Sequence, residues 1–303
     1  AGCLSCNYAG SRRFKVGSVR DHVLGFQGIN GKGEIIKSGG TVVKNVTGYD
    51  LSKLITGSFG TLSILTEITL KVLPKKNFSN TVVIDVEDHK KIYDLFNLIS
   101  GSSSEVSGAV FIPSEPEDKN YKKNRDKIFK FNDLDFKGPF LAFRVEGDKI
   151  SINEKIKSLT EELQLNTFKT FLLDSYQSDP FWKKINNLEL FEKTENNLLR
   201  IVIEPSNGSK MVKYLNNKFK YYIDWCGSLF WVEVPAKKNM KVKEIKKIAI
   251  DFGGYLTIVK TSSDYDFDET IFTVDDVRLM ISKKIKESFD PKRILNPGKM
   301  YRG

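Results

Sequence analysis

The chain has 303 residues, 40% of them apolar and 12% aromatic, enough for about two domains with real cores. Its net charge of +10 comes mainly from lysines interleaved with asparagines along the whole length. No DNA- or RNA-binding signature accompanies them, which sets nucleic acid aside and leaves a basic surface suited to an acidic partner subunit. No run of about 18 apolar residues is present, so no helical membrane span is expected, and three cysteines are too few for a disulfide framework, which points to a reducing, cytoplasmic compartment.

The start, Ala1-Gly2-Cys3-Leu4-Ser5-Cys6, has neither a Met nor a basic stretch followed by an apolar one, so it is not a signal peptide. It begins in mid-pattern and reads as a piece lacking its own N-terminus. Cys3 and Cys6 have the spacing used by zinc and redox sites. Zinc would need two further ligands, with only Cys226, His22 and His89 available, so small packing residues are the plainer reading.

From Val16 to Leu73 the sequence is glycine-rich and β-leaning. A strand is predicted over 23–28, a hairpin turn at Asn30-Gly31, and a returning strand over 34–38. Gly28, Gly31 and Gly33 loosely resemble a nucleotide fingerprint, but no helix follows and the Rossmann reading fails. A short helix over 49–56 and an alternating strand over 62–72 complete the block, which Pro74 closes. Beyond it strands and helices alternate. Strands are predicted over 81–86, 109–112, 140–145, 167–173, 198–204, 221–225, 229–234 and 255–260. Helices are predicted over 150–163, 209–218 and 241–252, with a short one near 180–190 and one capped by Asp88 that carries Ile92, Leu95, Phe96 and Ile99 at helical spacing. Residues 114–136 read as a long polar loop. This order suits two antiparallel sheets with helices on one face, as in ferredoxin-like units. A last helix over 275–289 is stopped by Pro291 and Asn296-Pro297-Gly298.

Two loops in the first block carry chemical interest: Lys44-Asn45-Val46-Thr47-Gly48-Tyr49-Asp50-Leu51 and Gly57-Ser58-Phe59-Gly60-Thr61-Leu62-Ser63-Ile64. A Gly/Ser/Thr turn feeding a strand lets bare backbone approach a phosphate or a flat ring, although a plain tight turn reads the same. Nothing else is as suggestive. With only His22 and His89, no nucleophilic triad is evident. The acidic loop 263–270, with Asp264, Asp266, Asp268 and Glu269, lacks an EF-hand pattern and reads as solvated, so no metal site is expected. Tyr222, Trp225, Phe230 and Trp231 could line a pocket, but strand core is the commoner explanation.

The run Gly17-Ser-Val-Arg-Asp-His-Val-Leu-Gly25, the two loops, and the tail Phe289-Asp-Pro-Lys-Arg-Ile-Leu-Asn-Pro-Gly-Lys-Met300 together resemble the FAD-binding fold of vanillyl-alcohol oxidase-like, PCMH-type flavoproteins. Within it, Ala9-Gly10-Ser11-Arg12-Arg13 and the segment from Asp224-Trp225 to Trp231 are similar to the FAD-binding subunits of bacterial glycolate oxidase. The resemblance implies an α+β chain in three parts: residues 1–76 as the second half of a two-part FAD domain, 77–262 as a ferredoxin-like cap, and 263–303 as a helix and tail returning to the FAD domain. It implies FAD contacts from Gly2, Asn7, Gly10, Ser11, Val23, Gly57, Ser58, Gly60, Thr61, Ile64 and Asn296, with Ser63 standing where relatives carry glycine. It also implies oxidation of a 2-hydroxy acid such as glycolate to a 2-oxo acid, beside a catalytic flavoprotein subunit and an iron–sulfur subunit, peripheral to the inner membrane through that complex. No catalytic residue is assigned: relatives that oxidise the acid use a histidine-rich metal site, and no histidine follows His89. The alternatives are a self-sufficient FAD-dependent dehydrogenase with a pocket at Tyr222 and Trp225, and a flavin-free scaffold.

Overall fold

The computed structural model describes residues 1–42, 48–86, 91–114, 129–131, 134–135, 138–192, 194–238, 240–263 and 270–300. Residues 43–47 of the first loop, the expected cap Asp88, His89, most of the polar loop 114–136 and the acidic cluster 264–269 lie outside these. The chain divides into two compact units: residues 1–9, 17–74 and 266–303 form one, and residues 10–16 and 75–265 form the other.

The first unit is built on a three-stranded antiparallel sheet in the order β2-β1-β3, with β1 Val23–Ile29, β2 Ile35–Gly39 and β3 Ile64–Leu70. Its small core joins Leu4, Val23, Phe26, Ile55 and Leu62, and Ile285 and Phe289 of the helix Asp276–Phe289 pack against it. The alternation of β1 puts Val23 and Phe26 into that core across an irregularity in its pairing with β3. The glycines that resemble a nucleotide fingerprint serve packing. A Cβ on Gly28 would meet Ser63 Oγ at 2.3 Å, one on Gly31 would meet Asp290 Oδ1 at 2.2 Å, and Gly33 takes a left-handed φ of +83° in the hairpin turn.

The second unit carries one eight-stranded antiparallel sheet, order β13-β10-β12-β11-β5-β8-β4-β9. The strands are β4 Phe78–Asp85, β5 Gly108–Ile112, β8 Phe140–Gly147, β9 Thr170–Leu173, β10 Asn197–Val202, β11 Lys220–Asp224, β12 Leu229–Val234 and β13 Tyr255–Lys260; a small hairpin of β6 Lys130–Phe131 and β7 Leu134–Asp135 stands apart. Each half of the large sheet is a strand–helix–strand–strand–helix–strand unit, and in each the fourth strand flanks the first, then the third, then the second. The ferredoxin-like expectation thus holds twice over, but the two sheets are fused. The seam is the pairing of β11 with β5, whose register is the single partnership Ile223 with Phe111.

Helices on one face only is a second expectation that the structure corrects. Every residue of β5 and β12 is buried, so the middle of the sheet is covered on both sides. The added layer is the helix Ser175–Asn186, five residues earlier than the helix expected near Pro180, together with the strap Gly10–Val16. Asp174 caps it by accepting from the Gln177 N–H at 3.1 Å, and the Gln177 side chain accepts from the Asp174 N–H in return. Its buried face is mostly apolar, with Phe181, Trp182 and Ile185, and two polar contacts join it to the sheet: Thr81 Oγ1 accepts from Trp182 Nε1 at 2.7 Å and lies 2.7 Å from Ser178 Oγ.

Candidate functional site

Three chain segments far apart in sequence meet in the first unit around the turn 57–61. Gly57 and Gly60 take left-handed φ values of +85° and +67°, and Phe59 between them takes +54°. Such a run is costly for side-chain-bearing residues and persists only where the surroundings fix it. The surroundings do so through hydrogen bonds on nearly every peptide. The Gly57 N–H donates to Leu4 O at 3.1 Å and the Phe59 N–H to Ser5 O at 2.7 Å, both carbonyls belonging to the helical turn Gly2–Ser5. From the other end of the chain, Asn296 Nδ2 donates to Phe59 O at 2.8 Å and Lys286 Nζ to Thr61 O at 2.7 Å. Thr61 Oγ1 closes the turn on Ser58 O at 2.7 Å.

Lys286 is held in turn by Asp290. This carboxylate is completely buried; it accepts from Lys286 Nζ at 2.5 Å, from the Leu295 N–H at 2.8 Å and from the Ile294 N–H at 3.1 Å. Burial works to raise its pKa, but the hydrogen bonds from Lys286, Leu295 and Ile294 outweigh it and leave the group below the ordinary carboxylate value.

One group in this otherwise satisfied turn is left over. Ser58 Oγ is buried and finds no hydrogen-bond partner among the described residues. Its neighbours are fully committed to each other, so the hydroxyl is not a by-product of loose packing. An ordered water or a ligand atom can satisfy such a buried polar atom. The donor set fits a flavin nucleotide: a neutral hydroxyl, two glycines without side chains, and backbone that a ring or phosphate can approach closely.

The expected site residues divide into two groups. Asn7, itself left-handed with φ 49°, faces Gly57 and accepts from the Arg20 N–H at 3.3 Å, and with Gly57, Ser58, Gly60, Thr61 and Asn296 it forms one cluster. Val23 underlies the cluster, its side chain in the core and its carbonyl accepting from Lys53 Nζ at 2.7 Å. Gly2 has open space where a Cβ would sit, and Ile64 is exposed at the head of β3. Gly10 and Ser11 belong to the second unit. There the Gly10 carbonyl accepts from Trp225 Nε1 at 3.1 Å, and Ser11 Oγ donates to Asp224 Oδ2 at 2.7 Å while its N–H donates to Asn186 Oδ1 at 2.9 Å.

That second constellation was not visible as a unit in the sequence. Asp224 is fully enclosed, and burial pushes its pKa up to about 6 against the opposing donors Ser11 and the Trp225 N–H and the charge of Arg144. Arg144, also buried, is drawn down to about 10 by its desolvation. The Arg13 and Arg200 guanidinium carbons lie 4.2 and 4.8 Å from the Trp225 ring centroid. Tyr222 and Phe230 are sheet core, the favoured of the two expectations for these aromatics, and Tyr222 stacks on Phe191. A cleft of about 210 Å³ in this unit is lined by Phe78, Asn80, Ile152, Asp174 and Ser175 and involves none of the expected flavin residues.

No family model matches the sequence. Among curated proteins it is 29% identical to the glycolate oxidase subunit GlcE of Escherichia coli (strain K12) over 301 residues, which is 99% of this chain and 71% of that protein. It is 40% identical to an uncharacterized FAD-linked oxidoreductase of Mycobacterium tuberculosis over 340 aligned residues, 99% of this chain and 69% of the relative. The chain belongs to the FAD-linked oxidoreductases. Glycolate oxidase subunit GlcD of Bacillus subtilis aligns with this oxidoreductase chain at 27% identity over 99% of its length and 67% of GlcD. In three dimensions the oxidoreductase fold superposes on alkyldihydroxyacetonephosphate synthase with a TM-score of 0.60 at 18% identity, covering 98% of this chain and 57% of that structure. The chain therefore spans little more than half of that solved protein. No helix among the described residues is long and apolar enough to cross a membrane.

Proposed function

We propose that this chain is the FAD-binding subunit of a glycolate oxidase-type complex, oxidising a 2-hydroxy acid to a 2-oxo acid beside a catalytic flavoprotein subunit and an iron–sulfur subunit. The observation that carries the cofactor assignment is the partnerless buried Ser58 Oγ in the left-handed turn 57–60. Likeness over 99% of the chain to GlcE and GlcD, both named as glycolate oxidase subunits, supports the partner and substrate class. A role as accessory rather than catalytic subunit is supported by the histidine content: His22, whose Nδ1 sits 3.1 Å from Lys71 O, and His89 are the only two.

Bound FAD supplies a two-electron acceptor for the hydroxy acid or for a neighbouring centre. The protein's part is to bind and orient it. Gly57 and Gly60 leave two positions of the turn without side chains, and Ser58 Oγ offers one hydrogen bond from inside it. The Leu4 and Ser5 carbonyls and the Asn296 side chain fix the turn's two flanks, while Lys286 holds its exit at Thr61.

The experiment is Ser58→Ala in the full-length protein. A buried hydroxyl with no partner in the protein costs desolvation without a bond in return, so the melting temperature of the flavin-free protein is expected to hold level or rise. Visible absorbance after desalting should show flavin loss at least tenfold greater than wild type, since about 1.5 kcal/mol of hydrogen bonding is removed. Equal flavin retention in the two proteins would reject the assignment, and rapid dye-linked oxidation of glycolate by the isolated chain would reject the accessory role.

A further inference from the structure

Cys3 and Cys6 are not used by the flavin site, yet they bracket the two residues that support it. Leu4 and Ser5, between them, provide the carbonyls that receive the Gly57 and Phe59 N–H groups. The turn is α-helical: the Ser5 N–H donates to Ala1 O at 2.9 Å and the Cys6 N–H to Gly2 O at 3.0 Å. Residues three apart on such a turn share a face, with Cα atoms about 5 Å apart, inside the roughly 4.4–6.8 Å that a disulfide spans. The two thiols also differ in access. Cys3 is exposed, Cys6 is partly covered, and Cys226 is a buried residue of the second unit. No group of three or more His, Cys, Asp and Glu gathers around the pair among the described residues.

We propose that Cys3 and Cys6 form a reversible dithiol–disulfide couple that exchanges with low-molecular-weight disulfides of the glutathione type. The exposed Cys3 thiolate attacks the small disulfide, forming a mixed disulfide on Cys3 and expelling one small thiolate. The Cys6 thiolate then attacks the Cys3 sulfur, forming the Cys3–Cys6 bond and expelling the second. Two protein thiols are oxidised by two electrons, one small disulfide is reduced to two thiols, and the two protons from the cysteines pass to those products. Burial holds the Cys6 thiol above its ordinary range, with Lys299 and the Tyr8 hydroxyl pulling the other way and Cys3 adding to the rise, as suits the slower, resolving partner. Closing the bond removes freedom from the turn whose carbonyls hold the 57–59 backbone, so the thiol state sets how firmly that backbone is supported.

The test uses the full-length protein equilibrated in glutathione buffers of graded ratio, quenched with an alkylating reagent and read by peptide mass. With reduced glutathione in excess, the peptide containing both cysteines should carry two alkyl groups. With glutathione disulfide in excess it should carry none and be lighter by two hydrogens. Cys6→Ser should stop the reaction at a stable glutathione adduct on Cys3, and Cys3→Ser should leave Cys6 free of adduct. Two alkylated thiols at every ratio, a persistent glutathione adduct on wild-type Cys3, or zinc retained stoichiometrically by the pair would each overturn the proposal. Every readout is a mass or a metal content, so the result is independent of whether FAD binds at Ser58.

Discussion

Asp290→Ala tests whether the tail holds the turn in the way the geometry indicates. The substitution deletes a buried acceptor of three hydrogen bonds, from Lys286 Nζ and the N–H groups of Ile294 and Leu295. Breaking a buried ion pair by removing one partner costs about 3–5 kcal/mol. Lys286 retains the carbonyls of Thr61 and Leu295 and is 13% exposed, so the low end, about 3 kcal/mol, applies here. Hydrogen exchange followed by mass spectrometry should show the amides of 57–61 and 290–300 opening about a hundredfold faster, by the tenfold that each 1.4 kcal/mol confers. All three tryptophans, Trp182, Trp225 and Trp231, lie in the second unit, so their fluorescence transition is the internal control and should not move. Asp290→Asn keeps one acceptor and should fall between. The pH dependence has a definite sign. The folded carboxyl lies below its unfolded value, so its contribution is present above the ordinary Asp pKa near 4 and is lost as pH falls through the folded value. The gap between wild type and Asp290→Ala should therefore close in acid. Exchange at 57–61 within threefold of wild type at pH 7 would refute the reasoning.

Asp224 has the opposite sign. Its pKa rises on folding from 3.8 to about 6, so its stabilising state is fully present below pH 4 and lost as pH climbs through 6. Relative to wild type, Asp224→Asn should gain stability across that window, by up to about 3 kcal/mol, measured as the tryptophan-detected urea midpoint at each pH; a constant difference from pH 4 to 7 would disprove the shift. Gly60→Ala should cost more than Gly57→Ala in thermal stability and in FAD retention. Both carry left-handed φ, worth about 1 kcal/mol or more each, but a Cβ at Gly60 also meets Asn296 Nδ2 at 2.8 Å, whereas at Gly57 the nearest atom is 3.6 Å away. Equal losses would mean that Asn296 gives way freely.

Much of the fold was legible because its signals are local. Alternation and helical spacing placed the strands and helices of both ferredoxin-like units within a residue or three. The fusion of those units into one sheet was not legible, because the seam is a single register partnership between Ile223 and Phe111 and leaves no pattern in either strand. The helix Ser175–Asn186 was misplaced for a different reason. Pro180 suggests a helix start, yet the Asp174–Gln177 capping box sets the start earlier and Pro180 is carried inside. At the candidate site the Gly57–Thr61 turn declares itself by composition. Its supports do not, since Lys286 and Asn296 reach it across 225 and 237 positions and Ser11 reaches Asp224 across 213.

The long reach of Lys286 and Asn296 has a consequence for biosynthesis. The carbonyls of Phe59 and Thr61 are engaged by side chains that leave the ribosome among the last of the described residues, so a nascent chain that has long since completed its first strands holds the turn 57–61 only through its N–H groups on Leu4 and Ser5. Flavin loading at the proposed site is thereby tied to synthesis of the segment that carries Lys286 and Asn296. A stalled chain ending before Lys286 should fail to hold the cofactor even with every proposed flavin-contacting residue except Asn296 already made.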